Sequence, residues 1–364
     1  MTAGDPAAAA APTSAADAAR RERKRPTWRR VLSGALSAAV VVGVFAFAIP
    51  QIADYGEVLD TVATLTPIEL WSLVAVTIAN LASYWLANMA ALPGLGFWHA
   101  AIVTQTTTSV ANTLPAGGAI AVGLTYQILR SWGFSGNEIA LYVSVTGLWN
   151  IFAKLALPIV SVGLLVATGE SSAAFVVAAS IGLGALAVAV GILAALFSSE
   201  RLARRIGDVA GRAISWLKRL VRRERVTDMG DRAVAFREDT IGLVRRRWAA
   251  LTLATVGSHL VLFAVLLLSL RHVGVSEADV STAQALAVFA FGRLISALPI
   301  TPGGLGVIEL GYIGGLRAAA GEDSAAAVVA AVLLFRVLTY AVQIPVGAVT
   351  YLLWRRTASP DRSS

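Results

Sequence analysis

The chain has 364 residues, 57% of them hydrophobic and only 14% charged, with mean hydropathy +0.71. Soluble domains carry about 25% charged residues, so the composition excludes an ordinary soluble globular fold before any motif is read. Cysteine is absent, which rules out disulfides, thiolate metal sites and cysteine nucleophiles; the three histidines (His99, His259, His272) show no metal-ligand spacing, and no cofactor is expected.

The net charge of +8 is not spread as a nucleic-acid binder would spread it. Of the 30 Lys and Arg, seven lie between Arg20 and Arg30, fourteen between Glu200 and Trp248, and three after Trp354. Such clusters beside apolar runs are what the positive-inside rule produces, and they suit anionic lipid headgroups rather than nucleic acid.

Residues 1–30 read as a disordered basic cytoplasmic tail, rich in Ala and ending in Arg20 to Arg30. An uncleaved span is expected over Val31–Ile49; a signal peptide cleaved near Ala46-Phe47-Ala48 is the competing reading. Asp54, Glu57 and Asp60 mark an outside loop, and a second span covers Ile68–Leu92. The next apolar stretch, Phe97–Arg130, is interrupted at Leu114-Pro115-Ala116-Gly117-Gly118. Spans follow at Glu138–Val166 and Ala173–Phe197, completing a first membrane half, 31–197. Residues 198–248 form a basic cytoplasmic segment. In it Leu202, Ile206, Val209, Ala213, Leu217, Leu220 and Val221 recur at helical spacing among arginines, as in an amphipathic helix lying in the headgroup layer. The second half, 249–354, opens with a span at Ala249–Leu270. A second interrupted stretch, Thr282–Arg317, is broken at Pro299-Ile300-Thr301-Pro302-Gly303-Gly304-Leu305-Gly306, and a last span, Ser324–Trp354, carries a kink at Pro345. Residues 355–364 are a cytoplasmic tail.

If both interrupted stretches turn back within the bilayer, every basic cluster falls on one side and the acidic loops on the other. The expected fold is therefore an all-α polytopic membrane protein, with about six full spans plus two Gly/Pro-broken re-entrant hairpins. It sits in the cell (inner or plasma) membrane with both termini cytoplasmic. A shift of 187 residues superposes Ser109 on Ser296, Pro115 on Pro302, Gly117 on Gly304, Arg130 on Arg317, Ala140 on Ala327 and Pro158 on Pro345, which suggests an inverted repeat. Inverted repeats with interrupted helices at matching positions point to a transporter site near the midplane.

Pro-x-Gly-Gly breaks a helix by removing a backbone donor and loosening φ. The N–H groups that open the next half-helix then suit a phosphate or carboxylate. That makes Pro115, Gly117 and Gly118, with Pro302, Gly303, Gly304 and Gly306, candidate substrate-binding positions. Close helix packing is the other use of such glycines. The ionisable residues inside apolar stretches are Lys154, Arg293, Glu309 and Arg336, each costing about 2.5–3.5 kcal/mol at a helix centre and so needing a cavity or a partner. One account pairs Glu309 with Arg336 or Arg293 as a structural ion pair; the other leaves the arginines free to hold a lipid phosphate, for which guanidinium geometry is suited; both hold together if one arginine is paired and one available. Arg130, after the first break, joins this set of candidates.

Leu298-Pro-Ile-Thr-Pro-Gly-Gly-Leu-Gly-Val-Ile-Glu309, with Arg293 ahead of it and Phe335-Arg336 after it, resembles the flippase-like transmembrane domain of lysylphosphatidylglycerol synthases, over roughly Val31 to Trp354. The resemblance implies a lipid-translocating membrane domain. The complete synthases add a soluble aminoacyl-transferase domain after it; none follows before Ser364, so lysyl transfer is not expected, and no phosphate-binding loop suggests ATP-driven pumping. The expected function is to bind a phospholipid or lipid-linked headgroup and move it between leaflets, without being an enzyme. A membrane-embedded transferase using a lipid-linked donor, and a non-catalytic partner of a separate lipid-modifying enzyme, remain as alternatives.

Overall fold

The computed structural model describes residues 55–114, 117–170, 173–219, 228–297, 301–321 and 324–357. The basic tail, the expected span Val31–Ile49 and Pro115 lie outside the described residues. Among the described residues every regular element is helical.

Helix α1 (Tyr55–Ala63) falls where the sequence suggested only a loop; it buries Val58 while Glu57 and Asp60 stay exposed. Helix α2 (Pro67–Ala91) starts at a capping box in which Thr66 accepts from the Glu69 N–H and Glu69 accepts from the Thr66 N–H, with Pro67 in the first turn, where its missing donor costs nothing. Helices α3 (Phe97–Thr113) and α4 (Gly117–Ser131) are the arms of the first interrupted stretch. Helix α5 (Gly136–Thr168) opens on a second capping box, Ser135 with Glu138, and ends at Gly169, whose φ of 75° only glycine adopts cheaply.

The chain continues through α6 (Ala173–Ser198) and α7 (Glu200–Arg219), the two meeting at a bend of 95°. Helix α8 (Met229–His272) is unbroken for 44 residues. The sequence placed a boundary near Ala249 because Arg245, Arg246 and Arg247 precede it. Arginine is a good helix former, however, so the helix runs through the charges. Helices α9 (Thr282–Ile295) and α10 (Val307–Ala320) flank a 3-10 turn at Pro302–Gly304. The last apolar stretch is α11 (Ala325–Arg336), a π-helical segment Val337–Ala341 and α12 (Gln343–Thr357).

Among the described residues, four helical segments are long and apolar enough to cross a membrane: Pro67–Ala91, Gly136–Thr168, Met229–His272 and Ala325–Thr357; a fifth joins them if the bent α6–α7 pair is one crossing. Each interrupted stretch folds back on itself. Along α12 and the π-helical segment before it, Thr106 bonds Thr350 (2.9 Å), the Ser109 hydroxyl donates to the Ile344 carbonyl (3.1 Å), and the Tyr340 hydroxyl donates to the Asn112 carbonyl (2.6 Å). The Trp354 indole then donates to Ser131 at the far end of α4 (2.9 Å), so α3 and α4 both lead from the Trp354 level to a tip near Tyr340. Gly347 makes the α3–α12 approach possible, since a Cβ there would strike Ser109 and the Gln105 carbonyl. In the second hairpin, Gly315 faces Val288 and Gly292 faces the Tyr312 ring, which sets α9 and α10 antiparallel at close range.

Helices α2 and α8 also run antiparallel. Ser72 bonds His272 at one end (2.7 Å), and Arg247 donates to the Met89 and Ala90 carbonyls at the other (3.3 and 3.4 Å). Helix α9 enters beside the end of α5, where Ser281 donates to Glu170 (2.5 Å) and Leu165 packs on Ala283 and Ala287. Outside the apolar bundle, α7 lies on the first turns of α8 through Gly207 and Gly211, neither of which leaves room for a Cβ against Met229, and Arg204 pairs with Asp231.

Candidate functional site

The tip of the second hairpin is built on backbone that L side chains avoid. Gly303, Gly304 and Gly306 take φ of 60°, 71° and 84°, and the Thr301 hydroxyl closes the turn on the Leu305 carbonyl (2.8 Å). A side chain at Gly303 would also strike the Tyr340 ring. The next helix begins with Glu309 in its first turn, fully buried, and one carboxylate oxygen accepts the Gly306 N–H (2.7 Å). The other accepts Arg336 Nε (2.5 Å). Arg336 also donates to the Gly303 carbonyl (3.1 Å) and stacks on Tyr340, its guanidinium carbon 4.6 Å from the ring centroid. Since Tyr340 bonds Asn112, the two hairpin tips are joined through one tyrosine and one arginine.

Arg336 and Glu309 thus form a buried ion pair with both carboxylate oxygens satisfied. Such pairs add little net stability, but removing one partner strands a charge.

Arg293 is placed differently. Its side chain is half-buried at the end of α9, and its Nε is buried with no hydrogen-bond partner among the described residues. It lies within electrostatic reach of Lys154 on α5, His259 on α8 and Tyr312 on α10, and Lys154 in turn reaches His259. His259 is 1% exposed; its Nδ1 sits 2.9 Å from the Thr255 carbonyl, which can only accept. That contact assigns the proton to Nδ1 and leaves a buried, unpartnered Nε2. Between the Ser72–His272 and Arg247–Met89 ties, the α2–α8 register sets Asn80 opposite His259. Asn80 is 0% exposed, and neither amide atom has a hydrogen-bond partner in the described structure.

These residues share one depth. At about 1.5 Å per residue, Asn80, Lys154, His259, Arg293, Glu309 and Arg336 all lie about 17–21 Å along their helices from the ends on the acidic-loop face. A hydrocarbon core is about 30 Å thick, so this is a polar layer near its middle. Among the described residues, the layer sets Lys154, Arg293 and Arg336 against the single carboxylate of Glu309.

The remaining candidates fall elsewhere. Gly117 packs where a Cβ would strike the Val110 and Ala111 carbonyls, so it serves the close fold of the first hairpin, and its N–H is taken by the Leu114 carbonyl (2.8 Å). Gly118 has open space around it. Pro302 belongs to the 3-10 turn at the second tip. Arg130 lies at the far end of α4, exposed and donating to the Phe134 carbonyl (3.0 Å), well away from the polar layer. The sequence reading gave no site role to Asn80, His259, Tyr312 or Tyr340. The available signal was polar side chains isolated within apolar runs, which only the tertiary register distinguishes from satisfied core residues.

The family model described as the lysylphosphatidylglycerol synthase TM region matches residues 32–347. No curated protein matches the sequence. With a match over most of its length, with the left-handed glycine turn, and with the Glu309–Arg336 pair within the matched span, the chain belongs to the lysylphosphatidylglycerol synthase transmembrane-region family.

Proposed function

We propose that this membrane protein, from a family tied to lipid handling, binds the phosphate of a lipid headgroup at mid-bilayer and carries it between leaflets. The observation that carries the reading is the pair of basic side chains Lys154 and Arg293, which meet no carboxylate among the described residues and lie within electrostatic reach of His259, whose Nε2 is buried and unpartnered. A phosphate offers the negative charge and the several acceptors such a pocket lacks. Arg336 and Glu309 act behind it by fixing the second hairpin's tip. In this reading the two hairpins are re-entrant, six spans surround them, and both termini are cytoplasmic in the plasma membrane. The halves are inverted copies, a view supported by the exchange of partners in which the first hairpin packs on α12 and the second on α5. Nothing in the reading requires covalent chemistry, so the chain acts as a carrier and not as an enzyme.

The test is leaflet exchange of fluorescent phospholipids in liposomes holding the purified protein. Wild type should accelerate exchange, and Arg293→Ala and Lys154→Ala should each lower the rate about tenfold or more, the worth of one charge-assisted contact. No acceleration with anionic, zwitterionic or lysyl-modified phospholipids would sink the proposal.

A further inference from the structure

The first hairpin holds a feature that the polar layer does not use. A cleft of about 540 Å³ opens between α3, α4 and α12, lined by Ser109, Leu114, Ile120, Gly123, Gln127 and Tyr351 among others. It runs from the hairpin tip toward the Trp354–Ser131 tie, and so covers the half-bilayer on the side of the basic segments. Its walls are largely apolar, with Gly123, Gln127 and Ala348 exposed at its opening. Two cations stand at its basic-face end. Arg355 lies over the Tyr351 ring at 5.9 Å, and Arg130 is one helical turn beyond Gln127 on the same face of α4.

We infer that this cleft is an entry site for one anionic glycerophospholipid of the basic-face leaflet, its acyl chain in the cleft and its phosphate against Arg355 and Arg130. A transmembrane helix is a poor occupant. A cylinder about 10 Å across running the ~15 Å of one leaflet displaces about 1,200 Å³, over twice the cleft. An acyl chain is slender, already lies at this depth, and needs no hydrogen bonds from the walls. Because a tail is as well solvated in the bilayer as against leucine, little affinity comes from the cleft itself; selection falls to the two arginines at its mouth. The inference adds an upstream step to the proposed carrier and rests on that reading only for where the lipid goes next.

The test uses full-length protein in phosphatidylcholine vesicles containing a small fraction of phosphatidylglycerol with a photoreactive diazirine on one acyl chain. After illumination, labelled peptides are mapped. Labelling should concentrate on residues 120–127 and 348–351. Gly123→Phe should cut it about tenfold, since no atom lies within 4 Å of a Cβ there and the ring fills the cleft without displacing protein. Ala348→Phe should do the same from the opposite wall, and guards against misfolding of the first variant. Arg130→Gln with Arg355→Gln should erase the preference for phosphatidylglycerol over a diazirine phosphatidylcholine. Labelling spread evenly onto the lipid-facing helix α6, or unchanged by both filling variants, would mean ordinary boundary lipid and overturn the inference. Cleft labelling without any leaflet exchange would leave the entry site standing and remove the carrier.

Discussion

The two hairpins share a sequence device and differ in everything around it. At the second, three glycines in left-handed conformation hold a turn whose carboxylate, arginine and tyrosine are all accounted for by protein partners, and α9 buries Ala285, Ala287, Phe289 and Ala290 completely. At the first, none of the described glycines of the break has positive φ, and α4 leaves Ile120, Val122 and Tyr126 about half exposed. A Pro-Gly break therefore sets only where a helix stops. Whether the resulting tip is a fixed part of the core or a wall facing lipid depends on what the rest of the chain places against it.

The sharpest way to break this contrast is Arg336→Met. It strands Glu309 in the apolar interior and should lower stability by about 3–5 kcal/mol, read as a fall in thermal midpoint in detergent, whereas Glu309→Met with Arg336→Met together should recover much of the loss. A recovery that fails would show that Arg336 matters for more than its partner. Next comes a matched pair of glycines. Gly303→Ala meets both an unfavourable φ and the Tyr340 ring, and should cost about 1–3 kcal/mol. Gly118→Ala, in the first turn of α4 with open space around it, should be neutral or stabilise by up to about 1 kcal/mol. Equal effects would erase the distinction drawn here.

The smallest effect concerns how the hairpins are entered. Helix α3 starts at Gly96 with no side-chain cap, while α9 starts under Ser281 and Glu277. The Glu277 carboxyl is held below its ordinary range first by the Thr282 N–H; burial opposes this as the next largest effect, and the Thr282 hydroxyl and Arg271 lower it further. A depressed carboxyl contributes stability that is present above its unfolded value, near 4.5, and lost as the pH falls through its folded value. The thermal midpoint should thus decline as the pH is lowered below about 4.5, and Glu277→Gln should flatten that decline. Asp279, held low by Ser276, adds stability that is lost as the pH falls below its own ordinary value near 3.8, so the double variant should be flatter there as well.

Much of the architecture was legible because a bilayer admits few alternatives. Breaks at Pro and Gly, and runs of about 20 apolar residues, placed α2, α5 and the arms of both hairpins to within a few residues. The Glu309–Arg336 pairing was one of two readings that the spacing left open. The polar layer was not legible as a layer. Asn80 and His259 are 179 positions apart in sequence and come to one depth only through the α2–α8 register, which Ser72 and Arg247 fix from either end. Arg130 stands apart from that layer. Its repeat match to Arg317 suggested a shared site, yet a residue at the end of a 15-residue arm stands about 20 Å from the tip.

Pro345 has an effect beyond the kink expected of it. Lacking an N–H, it cannot close an ordinary turn onto the Ala341 carbonyl, and just upstream the chain widens into the π-helical segment, with the Val342 N–H reaching back to the Val337 carbonyl (3.0 Å). One additional residue in a turn rotates everything downstream by about 100° relative to an ideal helix. The last apolar stretch is thereby two rods spliced out of phase. The upper one aims Arg336 at the second hairpin, and the lower one aims Gly347 at the first. Removing a single residue from Val337–Ala341 would put the rods back in phase and turn one of those faces away from its hairpin.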